Sequence, residues 1–168
     1  MKKLMILVLG FVLIKTANAQ LKKVDIVATG LTCSMCSNAI YKQLQVIDGV
    51  DKVEIDLNKN LFTVILKADH NLTPQDFKDR VEKAGFFVGT MVLYISYSNF
   101  TIEDGKQENN YVFIDTNPQT LNGEKQLRVL DKGYVTAKEF KKLSKKYVKY
   151  ATYSVNNEND YHIKLVQE

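Results

Sequence analysis

The chain has 168 residues, 45% hydrophobic and 25% charged, with two Cys, two Pro and no Trp. That composition excludes a disordered tail, a disulfide-dense mini-protein and a collagen-like rod. Three of the 23 basic residues (Lys2, Lys3, Lys15) fall in residues 1–19, which hold no acid; the rest carries 20 Lys+Arg against 19 Asp+Glu, so net charge makes no case for nucleic-acid binding.

Residues 1–19 read as an export signal. Lys2 and Lys3 form a charged start, Leu4 to Ile14 is an apolar run, and Ala17-Asn18-Ala19 gives a small-x-small pattern ahead of Gln20. The run is short of the ~20 apolar residues that span a bilayer. No Cys follows it, which argues against a lipid-anchored terminus. Lys15 is unusual so late in a leader, and an uncleaved membrane tether is the alternative. Cleavage would leave 149 residues without a stable membrane span, expected in the periplasm or secreted.

Val24, Ile26 and Ala28 predict one face of a strand ending before Gly30. From Ser34 the period becomes helical, with Cys36, Ile40, Leu44 and Ile47 on one face and Gly49 closing the helix. Val53, Ile55 and Leu57 alternate with Lys52, Glu54 and Asp56, and after the Asn58-Lys59-Asn60 turn a strand over 61–67 completes a hairpin. Thr73-Pro74-Gln75-Asp76 is a helix start, Phe77, Val81 and Ala84 its apolar stripe, and Gly85 its end. Phe86-Phe87-Val88 opens a fourth strand. The expected class is α+β, with this β-α-β-β-α-β order of split βαβ, ferredoxin-like type over residues 20–90.

The composition changes near Gly89-Thr90: both Cys lie before that point, and eight of the nine Tyr after it. Residues 91–168 are therefore expected to form a smaller β-rich domain of unassigned role. Strands are predicted over 91–102, 111–116, 125–130, 152–155 and 161–166, with a helix over 136–150. That order suits an OB-like barrel with one helix, and a plain α+β sandwich also accommodates it.

The concentrated chemistry is Gly30-Leu31-Thr32-Cys33-Ser34-Met35-Cys36, a C-x-x-C between a strand and a helix. A structural disulfide is one reading, but so small a loop gains roughly 2 kcal/mol at best. A thiol–disulfide exchange site is a second, because a helix start lowers a thiol pKa. The β-α-β-β-α-β order is not thioredoxin-like, however, and no Pro lies between the cysteines. Haem attachment fails because Ser37 stands where His is required. Zinc would need two more ligands, and His70 and His162 lie far from the motif. The fourth reading is a soft metal ion such as Cu(I) held by two thiolates, with the side open that a carrier needs.

Residues 22–90 resemble the heavy-metal-associated domain of copper chaperones, copper-ATPase amino-terminal domains and periplasmic mercury-binding proteins. The matching pieces are Gly-Leu-Thr-Cys-Ser-Met-Cys (30–36), Gly-Val-Asp-Lys-Val-Glu-Ile-Asp (49–56) and Lys-Ala-Gly-Phe (83–86). The resemblance implies that Cys33 and Cys36 are the metal ligands and that Phe86 packs beneath them. Leu31, where the family usually carries Met, would support the loop from within. Thr32 adjoins the first ligand, and Lys83 could offset the negative bis-thiolate complex or be an ordinary exposed lysine.

Other residues attract less. Met35 is expected to point into solvent, His70 to lie on the surface, and His162 to face outward from the last strand. Lys138, Lys141, Lys142, Lys145, Lys146 and Lys149 share a helix whose apolar face is Phe140, Leu143, Tyr147 and Tyr150. They read as its solvated side, with an anionic lipid surface or acidic partner as the sharper alternative. No catalytic constellation is visible. The expectation is a monomeric, exported, non-enzymatic Cu(I) carrier or sequestering protein. Its partner would be a metal-transfer protein such as a copper transporter or efflux component. Hg(II) scavenging and thiol–disulfide redox activity are the alternatives.

Overall fold

The computed structural model describes residues 19–32, 34–153 and 160–166. Residues 1–18 of the expected export signal and the end of the strand expected over 152–155 lie outside these. Strand β1 (Gln20–Thr29), helix α1 (Ser34–Gln45), the β2 (Val50–Asp56) and β3 (Leu61–Leu66) hairpin, α2 (Pro74–Lys83) and β4 (Phe87–Ile102) follow in order. Then come β5 (Gln107–Glu108), β6 (Tyr111–Phe113), β7 (Gln119–Val129), α3 (Ala137–Lys146) and β8 (Tyr161–Leu165). The first four strands lie in the order β2-β3-β1-β4, which with two helices on one face is the ferredoxin-like arrangement.

Each helix forms for a local reason. Pro74 opens α2, where a missing N–H costs nothing, and Asp76 Oδ2 accepts from both the N–H and the hydroxyl of Thr73 at 2.8 Å. Phe77 and Val81 then enter the core. In α1 the buried face is Ser37, Ile40 and Leu44, one residue out of phase with the expected Cys36-Ile40-Leu44 stripe. The shift leaves Cys36 half-buried at the surface.

The composition change at residues 89–90 falls inside β4, a continuous 16-residue strand. β4 pairs with β1 on one side and β7 on the other. The sheet then continues through β8 and β6 to β5, so all eight strands form one open sheet with β2 and β5 at its edges. The barrel expected for residues 91–168 is thus replaced by an extension of the first half's sheet. The physical reason is a register-matched row crossing six strands: Phe62, Ile26, Met91, Val129, Ile163 and Phe113 are successive cross-strand partners. Each is at most 1% exposed. Splitting the sheet would expose this row and forfeit its cross-strand contacts, each worth roughly 0.2–1 kcal/mol.

Strand alternation assigns the two faces. Tyr111 and Phe113 of β6 join the main core with Ile40, Leu44, Phe77 and Val81 of α1 and α2. Val112 and its neighbour Ile114 join a second core with Tyr147 and Tyr153, against which Phe140 and Leu143 of α3 pack. Helix α3 therefore covers the opposite face from α1 and α2. It begins at Thr136, whose hydroxyl accepts from Glu139 N–H at 3.2 Å, and ends four residues before the expected Tyr150. Residues 152–153 are not strand.

His162 departs from the expected outward orientation and is fully buried. Tyr161 and Ile163 of β8 enter the main core, and the opposite face, which His162 occupies, is covered by Thr152 and Tyr153. Asp131 Oδ1 lies 2.7 Å from His162 Nδ1, Thr152 Oγ1 lies 2.9 Å from Nε2, and Tyr153 packs edge-on against the ring. His70 is half-buried rather than a surface residue: its Nδ1 accepts from Leu72 N–H at 3.1 Å, and Nε2 donates to Leu21 O at 2.8 Å.

Candidate metal centre

The motif loop leaves the end of β1 and enters α1. Gly30 turns it with a φ of +89°, and a β-carbon there would lie 3.8 Å from the Phe86 ring, strained by the backbone rather than by space. A register shift between Val27 and Ala28, opposite Thr90 and Val88, bends β1 and β4 beside this loop. Leu31 is half-buried and packs on the main core, while Thr32 is exposed. Cys33 lies outside the described residues.

Cys36 occupies the first turn of α1, where backbone N–H groups lack helical partners and favour negative charge. The Thr32 hydroxyl lies 4.0 Å from its sulfur, within reach of a hydrogen bond in either direction. Met35 is 80% exposed, as expected of a side chain directed into solvent. A shallow cleft of about 270 Å³ adjoins the motif, lined by Leu31, Thr32, Ser34, Ser37, Leu57 and Asn60. Leu57 and Asn60 were not legible as site residues because they come from the β2–β3 turn, far away in sequence. Asn60 is fixed there by a bond from Ala28 N–H to its carbonyl, 3.1 Å.

The other side of the loop is set by the α2–β4 junction. Gly85 ends α2, and Phe86, half-buried against the main core, donates its N–H to Val81 O at 3.2 Å. Phe86 is thus brought to Gly30, at the foot of the motif. Lys83 is exposed at the last residue of α2, and neighbouring Phe87 is 67% exposed. Among the described residues no group of three or more His, Cys, Asp and Glu is arranged to hold a metal ion.

Comparison with known proteins gives the same region. Copper-transporting ATPase RAN1 of Arabidopsis thaliana is 37% identical over 67 residues, 39% of this chain and 6% of that protein. The copper-transporting ATPase of Saccharomyces cerevisiae is 35% identical over 66 residues, again 39% and 6%. The chain thus spans only a small fraction of these curated relatives. The solution structure of the yeast copper transporter domain Ccc2a, solved in apo and Cu(I)-loaded states, is 34% identical. It covers 40% of this chain and 90% of that one, with a TM-score of 0.36. Residues 26–87 match the model of the Heavy-metal-associated domain, and this part of the chain belongs to that family.

Proposed function

We propose that the protein binds one Cu(I) ion through Cys33 and Cys36 and carries or sequesters it outside the cytoplasm. The observation that carries this reading is Cys36 on the first turn of α1, directly after the strand-to-helix loop of a heavy-metal-associated domain. Two thiolates suit a soft monovalent ion, and the N–H groups of the α1 start favour the anionic complex they form. The copper-transporting relatives support copper as the cargo. The leader-like residues 1–19 support export to the periplasm or beyond.

An exposed loop with few ligands allows an incoming thiolate to attack the ion before the first two release it. The expected partner is therefore another thiol-bearing metal-transfer protein, such as a copper transporter or efflux component. The protein itself performs no covalent chemistry in this account.

Copper tolerance tests the reading. Cells producing the wild-type chain should survive added copper better than cells producing Cys33→Ser, at equal protein level. Equal tolerance in both, together with turnover of a disulfide substrate by the purified wild type, would overturn carriage in favour of thiol exchange.

A further inference from the structure

Helix α3 carries a charge pattern that the metal site does not use. Its flanks are neutralised: Glu139 pairs with Arg128 at 2.8 Å and Lys146 with Asp115 at 2.7 Å, and Lys149 just beyond pairs with Asp104 at 2.8 Å. Lys138, Lys141, Lys142 and Lys145 are exposed and enter no ion pair among the described residues. Their spacing i, i+3, i+4, i+7 places them on one stripe, opposite the Phe140, Leu143 and Tyr147 face that docks on the sheet. A merely solvated face mixes signs, as α2 does with Asp76, Asp79 and Glu82 among Lys78, Arg80 and Lys83. The α3 stripe instead repels itself, in a chain whose charge beyond residue 19 nearly balances.

We propose that this lysine stripe is a docking surface for an anionic phospholipid bilayer. Charge complementarity sets the sign of the partner. The absence of Arg from α3 sets its kind, because ammonium groups act as point charges without the bidentate fork that reads individual carboxylates or phosphates. A straight row of point charges suits a flat surface of mobile headgroups, where each lysine strengthens binding roughly fivefold. Docking through α3 also leaves α1, which carries Cys36, uncovered, since α1 belongs to the other side of the sheet. The surface would hold a metal-binding protein against a membrane without closing its site.

The test is flotation of the full chain with phosphatidylcholine vesicles, with and without 30% phosphatidylglycerol, against Lys138→Gln, Lys141→Gln, Lys142→Gln, Lys145→Gln. Residues 1–18 are common to both chains, so the difference isolates α3. The expected result is a preference for anionic vesicles that weakens by about three orders of magnitude in the variant and is also weakened by high salt. A control replacing Lys22, Lys42, Lys67 and Lys132 with Gln should stay within a few-fold of wild type. Equal anionic preference in the wild type and the α3 variant would overturn the proposal. So would vesicle indifference alongside α3-dependent binding of polyglutamate, which would assign the stripe to an acidic protein. Matching circular dichroism spectra separate lost binding from lost fold.

Discussion

Asp115 concentrates the electrostatics of the second half in one carboxylate. Its Oδ2 accepts from Lys146 at 2.7 Å, Lys164 at 2.5 Å and Tyr147 at 3.1 Å, joining α3 and β8 to the segment after β6. The Lys146 and Lys164 bonds hold the carboxyl well below the usual carboxylate range, against a smaller opposing effect of burial. The unfolded chain therefore takes up this proton more readily than the folded one. The stabilisation is full above the unfolded pKa, about 4, and is lost as pH falls through the depressed folded value. Urea midpoints should show Asp115→Asn less stable than wild type at pH 7, the gap closing below about pH 4. A gap constant with pH would contradict this origin.

His162 makes a different demand, because its ring is buried within a chain of polar partners. His162→Leu would leave Asp131 Oδ1 without its ring partner while keeping the bond from the residue-162 N–H to Oδ2. A loss of about 2–4 kcal/mol is expected by urea denaturation. A loss under about 0.5 kcal/mol would show the network to be dispensable. None of this was legible in the sequence. His162 sits in an alternating stretch, and alternation alone does not reveal that both faces of an inner strand are covered. The cysteine motif was legible because its spacing and position between strand and helix are local. The cleft residues Leu57 and Asn60 are set by tertiary packing.

Among the elements, β4 matters most. The pattern of the first half was readable from period changes, with Thr73, Pro74 and Gly85 as punctuation. The second half was harder to read. β5 has two residues and β6 three, too short for periodicity to register, and β7 begins six residues before the predicted Lys125. The junction at Gly89-Thr90 reflects a real change in composition, yet backbone pairing runs straight through it. Met91 lies at the centre of the cross-strand row, between Ile26 and Val129. Met91→Ala should cost about 2–5 kcal/mol. It should lower the unfolding midpoint equally when followed by tyrosine fluorescence, which reports mainly residues after 90, and by hydrogen exchange of the α1 backbone amides. Two separated midpoints would show that the halves unfold independently.

At the scale of the molecule, one sheet carries two different surfaces. One face, with α1 and α2, carries Cys36 beyond the end of β1; the other, with α3, presents a lysine stripe that enters no ion pair among the described residues. On the readings proposed above, one side would take a soft ion and the other would meet an anionic surface. Among the described residues no helix is long and apolar enough to cross a membrane.

If the cysteine pair is the metal site, a Cu(I) titration of the reduced chain under nitrogen will show it. A chromophoric Cu(I) chelator would report the competition, with Cys33→Ser, Cys36→Ser run beside the wild type. Tight binding of one ion per wild-type chain and none in the variant is expected. Failure of the reduced wild type to take copper from the chelator, or equal uptake by the variant, would contradict it.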